Sequence, residues 1–476
     1  MYRLWVLFAL LGSVSFTEAQ FFSPDVYRER RDALFEKLGG ALAVVPGLEG
    51  DGDHVLRQRL NLVYLAGVEE PNAYLVLDGK TRTSHLFLPD RTQFAPGQFP
   101  TPDRETFREA PWNRPLRKWT PGAKAAAGTG IDEVHALDSF WDVVGPLARK
   151  ADRILVDYTE GEAWAPAPLG PVHSATWQVA DRLRQAVPGK SVENLAPLIQ
   201  RMRLVKDAHE IEAMESAATF TCEGINEVMR TLGPGQTERE IAGFLDYVWK
   251  KEGAQRVNFD SIVQTGPNSM VFYPLPWEQY DTYTRKTAAG DLLFLDVGAE
   301  HDFYASDVCR TIPVSGKFTV VQRKYYDIVL EAADAAIAAT RPGATTLDVV
   351  RAAAEVYKKH GLDRYEDVKA IGIDHVWGVL PSPTHYIVNE GVMIRGVRGL
   401  GHHIVMAAID RAPPNVTLEP GMVFTVEPKL YVTEHGFGIM IEDEVLVTED
   451  GAKNLSLHSP RTAEAIEAMM ARRAAR

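Results

Sequence analysis

Part of this chain is written twice, and that duplication restricts its fold more than any single segment does. Pro234-Gly235-Gln236-Thr237-Glu238-Arg239-Glu240 returns as Pro342-Gly343-Ala344-Thr345-Thr346-Leu347-Asp348, at an offset of 108. Val248-Trp249-Lys250-Lys251-Glu252-Gly253 returns as Val356-Tyr357-Lys358-Lys359-His360-Gly361 at the same offset. In each copy a glycine turn precedes a threonine with an acid three residues later, the pattern of a capping box at a helix start. The repeat continues into strands: Gly290-Asp291-Leu292-Leu293-Phe294-Leu295-Asp296 matches Gly421-Met422-Val423-Phe424-Thr425-Val426-Glu427, now at an offset of 131. The larger offset places roughly 23 extra residues in the second copy, within 362–397. Two helix-then-strand copies, each ending in an acid, predict a pseudo-two-fold α/β domain with a site on its axis.

A second acid follows the first in each copy. Asp307 lies eleven residues after Asp296, and Glu442 fifteen after Glu427, with Gly298, Pro428 and Gly436 in the intervening segments, so each pair reads as a β-hairpin. Asp296 ends the apolar run Leu292-Leu293-Phe294-Leu295, and Glu442 follows Ile439-Met440-Ile441. Carboxylates in such places are costly unless a cation or a partner compensates. Four acids converging with one histidine suit two hard or borderline divalent ions. Such a pair activates a bridging water and clamps the reacting oxygens of a hydrolysis.

The rest of the chain is organised differently. At 476 residues two domains are expected. Met1, Tyr2 and Arg3, the apolar run Leu4 to Leu11, and Thr17-Glu18-Ala19 read as a signal peptide over 1–19, which implies export to the periplasm or the exterior. No later segment approaches the ~20 apolar residues that span a bilayer. Beyond the leader, Pro24 to Leu38 reads as a helix, and Ala41–Val45, Leu62–Leu65, Tyr74–Leu77, His85–Leu88 and Arg153–Val156 as strands. A helix from Ser174 to Ala186 follows an irregular Pro-rich connection at 164–171. That alternation predicts an α/β domain over 20–200, with the repeat domain over 201–476. A net charge of −13 argues against nucleic acid or an anionic membrane as partner. Cys222 and Cys309 are the only cysteines, and their spacing suggests no thiolate metal site.

The segments Leu295-Asp296-Val297-Gly298-Ala299, Tyr304-Ala305-Ser306-Asp307-Val308-Cys309-Arg310-Thr311, Gly401-His402, Glu419 to Pro428 and Ile441-Glu442-Asp443 resemble the pita-bread metallopeptidase superfamily, over nearly all of 195–458. Gln58 to Ala73 resembles the matching segment of its aminopeptidase P branch. The resemblance implies a creatinase-like α/β domain followed by a pita-bread domain. It implies metal ligands Asp296, Asp307, His402, Glu427 and Glu442, with Glu427 also serving in proton transfer. The ions it implies are two divalent metals, manganese by preference, with iron, cobalt or zinc as alternatives. The implied reaction is release of an N-terminal residue from peptides with proline second, by a chain that forms homo-oligomers.

The same resemblance exposes departures. Where relatives carry outer histidines this chain has Tyr273, Arg398 and Ile409, and where they carry an arginine it has Met440. Tyr273 can still donate to an oxyanion. Arg398 can clamp negative charge but cannot surrender a proton near neutrality. Ile409 and Met440 are expected to make their corners apolar and to remove a donor and a charge. His403, His385 or His375 could substitute for a missing histidine, although His403 reads as a packed residue. Cys309 shares a strand face with Asp307 and reads as packed. A metal-dependent hydrolase acting on a peptide follows. The alternatives are non-peptidase C–N or C–S cleavage or oxidative chemistry on the same scaffold, or an inactive binding module.

Overall fold

The computed structural model describes residues 21–48, 57–89, 119–158, 174–270, 284–362, 385–389, 392–395, 400–410 and 415–472. The leader 1–19 and the connection 164–171 lie outside them. The chain divides into two compact units, Met1–Ile199 and Gln200–Arg476.

The first unit runs α1 (Pro24–Leu38), β1 (Leu42–Pro46), α2 (Leu60–Ala66), β2 (Tyr74–Asp78), β3 (Thr83–Leu88), α3 (Ala123–Thr129), β4 (Glu133–Ala136), α4 (Phe140–Lys150), β5 (Ile154–Val156), α5 (Ala175–Ala186) and β6 (Val192–Asn194). Its six strands form one sheet in the order β4-β3-β2-β1-β5-β6. β1, β2 and β3 are an antiparallel meander, and β4, β5 and β6 join parallel to their neighbours. Leu42, Val44, Val76, Phe87, Ile154 and Val156 meet Val144 and Ala148 of α4 and Leu183 of α5 in a core. Ser174 caps α5, its side chain accepting from Trp177 N.

One expected strand is a helix. Leu62–Leu65 lies inside α2, because an apolar run of four has no period that separates strand from helix. The turn is closed by Gly67 at φ 63°, whose N–H donates to Val63 O.

Helix α6 (Ala196–Arg203) leads into the second unit. There the elements are α7 (Ala208–Thr231), α8 (Glu238–Glu252), β7 (Arg256–Val257), β8 (Ile262–Thr265), β9 (Leu292–Val297), β10 (Ala299–His301), β11 (Tyr304–Ala305), β12 (Val308–Pro313), α9 (Val320–Ala339) and α10 (Thr346–Lys359). Then come β13 (His385–Asn389), β14 (Val392–Arg395), β15 (Val423–Val426), β16 (Lys429–Val432), β17 (Phe437–Met440), β18 (Asp443–Val447), β19 (Ala452–Asn454) and α11 (Ala463–Ala471).

The repeat is visible in the hydrogen bonds. Thr237 and Thr345 cap α8 and α10, each in a full capping box with Glu240 and Asp348. Gly235 N donates to Thr287 O and Gly343 N to Leu418 O, so the two sequence offsets appear together in one pair of equivalent contacts. β9 pairs antiparallel with β12 as β15 does with β18.

These pairs are not the simple hairpins expected from sequence. Between β9 and β12 lies the inner pair β10–β11, and between β15 and β18 lies β16–β17. The inner strands peel away because each has another partner, β7 for β10 and β13 for β16. The extra segment of the second copy thus contributes strands: β13 and β14 extend a four-stranded sheet in the order β14-β13-β16-β17.

Candidate metal centre

Each acid is placed by a strand end. Asp296 lies in β9, level with Ile262 on β8 and Cys309 on β12. Glu427 follows β15, its N–H donating to Leu400 O at 2.7 Å. Asp307 immediately precedes β12 and Glu442 immediately precedes β18, and there the two copies meet. Asp307 N donates to Glu444 Oε1 at 2.7 Å, and Glu442 N to Cys309 O at 3.0 Å. His402 runs beside β15, where Thr425 N donates to its carbonyl at 2.9 Å. Its own N–H donates to Thr425 Oγ1 at 3.1 Å.

Nitrogen and carboxylate oxygens of Asp307, His402 and Glu442 lie within 4.8 Å of one another. His402 Nε2 is 3.6 Å from both Asp307 Oδ2 and Glu427 Oε1, which draws Glu427 into the same group. His402 Nδ1 is 3.4 Å from His403 O. A proton on that nitrogen turns the Nε2 lone pair toward the acids. All four acids are buried, at 5, 5, 8 and 1 % exposure for Asp296, Asp307, Glu427 and Glu442.

Burial first, and repulsion from Glu442, Asp296 and Glu427 second, hold the Asp307 carboxyl well above the usual carboxylate range. Burial and then Glu427 and Asp296 do the same to Glu442. Asp307 Oδ1 and Glu442 Oε2 are buried without a hydrogen-bond donor among the described residues. Buried oxygens left in that state, in an all-oxygen and imidazole donor set, fit divalent cations.

Three contributors are missing from the sequence reading. Thr425 bridges, its hydroxyl 3.4 Å from Glu427 Oε1. Glu444, fully buried, has its carboxyl pushed up to about 8 by burial, and it accepts the Asp307 N–H. Lys429 is 1 % exposed, and its Nζ sits 2.5 Å from Glu427 Oε2.

Lys429 corrects one expectation. Met440 is fully buried among Ile262, Phe294 and Cys309, so that corner is apolar as expected. Yet its cross-strand partner on β16 is Lys429. The positive charge absent at Met440 is supplied from the opposite strand. An ammonium against Glu427 also repels any cation bound there. Replacing Lys429 by methionine is therefore expected to tighten divalent-metal binding by about tenfold, or about 1.4 kcal/mol, as measured by competition with a chelator. Weaker binding would show that Lys429 organises the site without opposing the ion.

Tyr273, Arg398 and His375 lie outside the described residues, and His385 is placed only as the first residue of β13. Ile409 is half-buried beside Asp410, which pairs with Arg203 at 3.2 Å. His403 is packed against Phe424, its ring centroids 5.9 Å apart, and burial lowers its pKa to about 3. Cys309 is fully buried, and burial pushes its thiol up.

Residues 212–449 match the model of metallopeptidase family M24, and residues 27–156 match the aminopeptidase P N-terminal domain. Xaa-Pro aminopeptidase 1 of Streptomyces coelicolor is 30% identical over 468 residues, covering 93% of this chain and 86% of that protein. The Xaa-Pro aminopeptidase of Escherichia coli is 29% identical, covering 93% and 97%. Among solved structures, the E. coli aminopeptidase P with the inhibitor Pro-Leu superimposes with a TM-score of 0.72 at 26% identity, covering 96% of this chain and 100% of that one. Pseudomonas aeruginosa aminopeptidase PepP gives 0.71 at 26% identity, covering 96% and 99%.

Proposed function

Since this chain belongs to metallopeptidase family M24, we propose that it is an exported aminopeptidase that removes the first residue from peptides with proline second. The proposal includes two divalent ions, manganese by preference. The observation that carries it is the buried carboxylate group beside His402 Nε2, in which Asp307 Oδ1 and Glu442 Oε2 lack donors among the described residues. The homologues named above support the substrate class.

Asp296, Asp307, His402, Glu427 and Glu442 would hold the ions, which when bound supply a Lewis acid and a hydroxide near neutral pH. Glu427 takes the proton of the attacking water and delivers it to the leaving proline nitrogen. Lys429 and the Thr425 hydroxyl hold the Glu427 carboxylate in place for that transfer. Glu444 fixes the backbone at Asp307. Tyr273 donates to the developing oxyanion, and Arg398 clamps substrate charge. With Arg398 in place of a group that titrates near neutrality, that clamp turns on fixed charge.

The test is an assay of the manganese-loaded full chain on Xaa-Pro peptides, beside peptides with other second residues and non-peptide amides. Turnover confined to the Xaa-Pro set is the expected result. A fully loaded protein that turns over no Xaa-Pro peptide would overturn the assignment.

A further inference from the structure

A second cluster of ligating side chains lies in the first unit, and the catalytic reading leaves it unused. β3 and β4 run parallel, with His85 level with Glu133 and Phe87 level with His135. Alternation puts all four side chains on one face of the sheet. His85 Nδ1 and His135 Nε2 are 3.2 Å apart. Glu133 Oε2 lies 3.5 Å from the first and 3.2 Å from the second.

With Glu133 ionised, protons leave one edge of that triangle unsatisfied. If both imidazoles donate to Glu133, two N–H groups face each other across the third edge. If one imidazole donates to the other, the acceptor keeps no proton on that nitrogen for Glu133. A cation satisfies all three edges at once. A tetrahedral zinc ion at 2.0–2.2 Å from its donors spaces them about 3.3–3.6 Å apart; the three separations here, 3.2, 3.2 and 3.5 Å, lie within about 0.1 Å of that range. We propose that His85, Glu133 and His135 form a site for zinc or a zinc-like divalent cation, distinct from the carboxylate centre.

The surroundings agree. Burial lowers the pKa of His85, which keeps its imidazole neutral and able to ligate. Phe87 stacks on His135 at 5.0 Å between ring centroids and fixes that ring. The register of the two strands is set independently: Asp132 accepts from Ser84 N at 2.8 Å and from its hydroxyl at 2.6 Å. The triad is therefore not needed to align the strands. β4 ends the sheet, and the Glu133 side chain is 53 % exposed, which leaves a fourth position open to water or another ligand.

This site stands whether or not the chain cleaves Xaa-Pro peptides, because its test counts zinc. The full chain, stripped with a chelator, is titrated with Zn²⁺ by calorimetry beside Glu133→Gln and His135→Gln. Each variant is expected to lose one equivalent, or to bind it about tenfold more weakly or worse. Glu133→Gln alters an exposed side chain, so it remains a fair test if His135→Gln fails to fold. Equal zinc stoichiometry and affinity in the parent and Glu133→Gln would overturn the proposal, and the three groups would then be a hydrogen-bonded cluster only.

Discussion

Replacing Asp307 by asparagine is expected to lower kcat/KM on an Xaa-Pro peptide by about a thousandfold or more, or about 4 kcal/mol of transition-state stabilisation. It is also expected to make the metal-free protein more stable. Both follow from the same geometry. Asp307 is buried among Glu442, Asp296 and Glu427, each of which raises its pKa after burial itself. With divalent ions bound, the clustered charge is what holds them. Without them the same charge is repulsion inside a low-dielectric site.

A carboxyl whose folded pKa lies above its unfolded one favours the protonated folded state. That contribution is complete below the unfolded carboxylate range and is lost as pH rises through the folded pKa. The metal-free parent should therefore melt at progressively lower temperature as pH rises. Asp307→Asn should melt above it by a margin that shrinks to nothing under acid conditions. In the presence of Mn²⁺ the order reverses, because only the parent is stabilised by the ion. Melting curves of both proteins, with and without Mn²⁺ across pH, read all of this. Equal stabilisation of the two proteins by Mn²⁺ would show that Asp307 is not a ligand.

Much of the catalytic unit was legible because it rests on local chemistry written twice. A glycine turn, a threonine cap and an acid three residues on define a helix start without help from the rest of the chain, and Thr237 and Thr345 form those boxes. The apolar strands leading to Asp296 and Glu427 were equally readable, since uninterrupted burial leaves its mark on composition. What escaped depends on partners far along the chain. The peeling of β10–β11 and β16–β17 out of the expected hairpins is decided by β7 and β13, which no local pattern announces. Leu62–Leu65 escaped for the opposite reason, being too short to show a period. Lys429 was present in the sequence two residues after Glu427, but its meaning comes from facing Met440 across two strands. His85 and His135 are likewise united by strand pairing over a separation of 50 residues.

The second large effect concerns Arg310, whose charge is completely enclosed. Its Nη2 is 2.9 Å from Asp443 Oδ1, with both side chains at 0 % exposure. The same guanidinium donates to Cys309 O, Glu442 O, Ser456 O, Ser459 O and Pro460 O. It thus ties β12 to the approach to β18, the join through which Asp307 and Glu442 are brought together. Arg310→Met removes the cation while leaving these acceptors in place. Arg461 still reaches Asp443 Oδ2 at 2.6 Å, so the acid is not wholly abandoned. The carbonyls, however, lose donors that buried water cannot easily replace. Removing one partner of a buried ion pair costs about 3–5 kcal/mol, and at about 2 °C per kcal/mol for a unit of this size the melting temperature should fall by roughly 6–10 °C. Arg310→Lys should recover only part of this, since an ammonium carries three donors without the planar fork. A methionine variant that melts within a degree of the parent would mean that β12 and β18 are held by their apolar contacts alone. The burial of Arg310 would then be a consequence of the join rather than its cause.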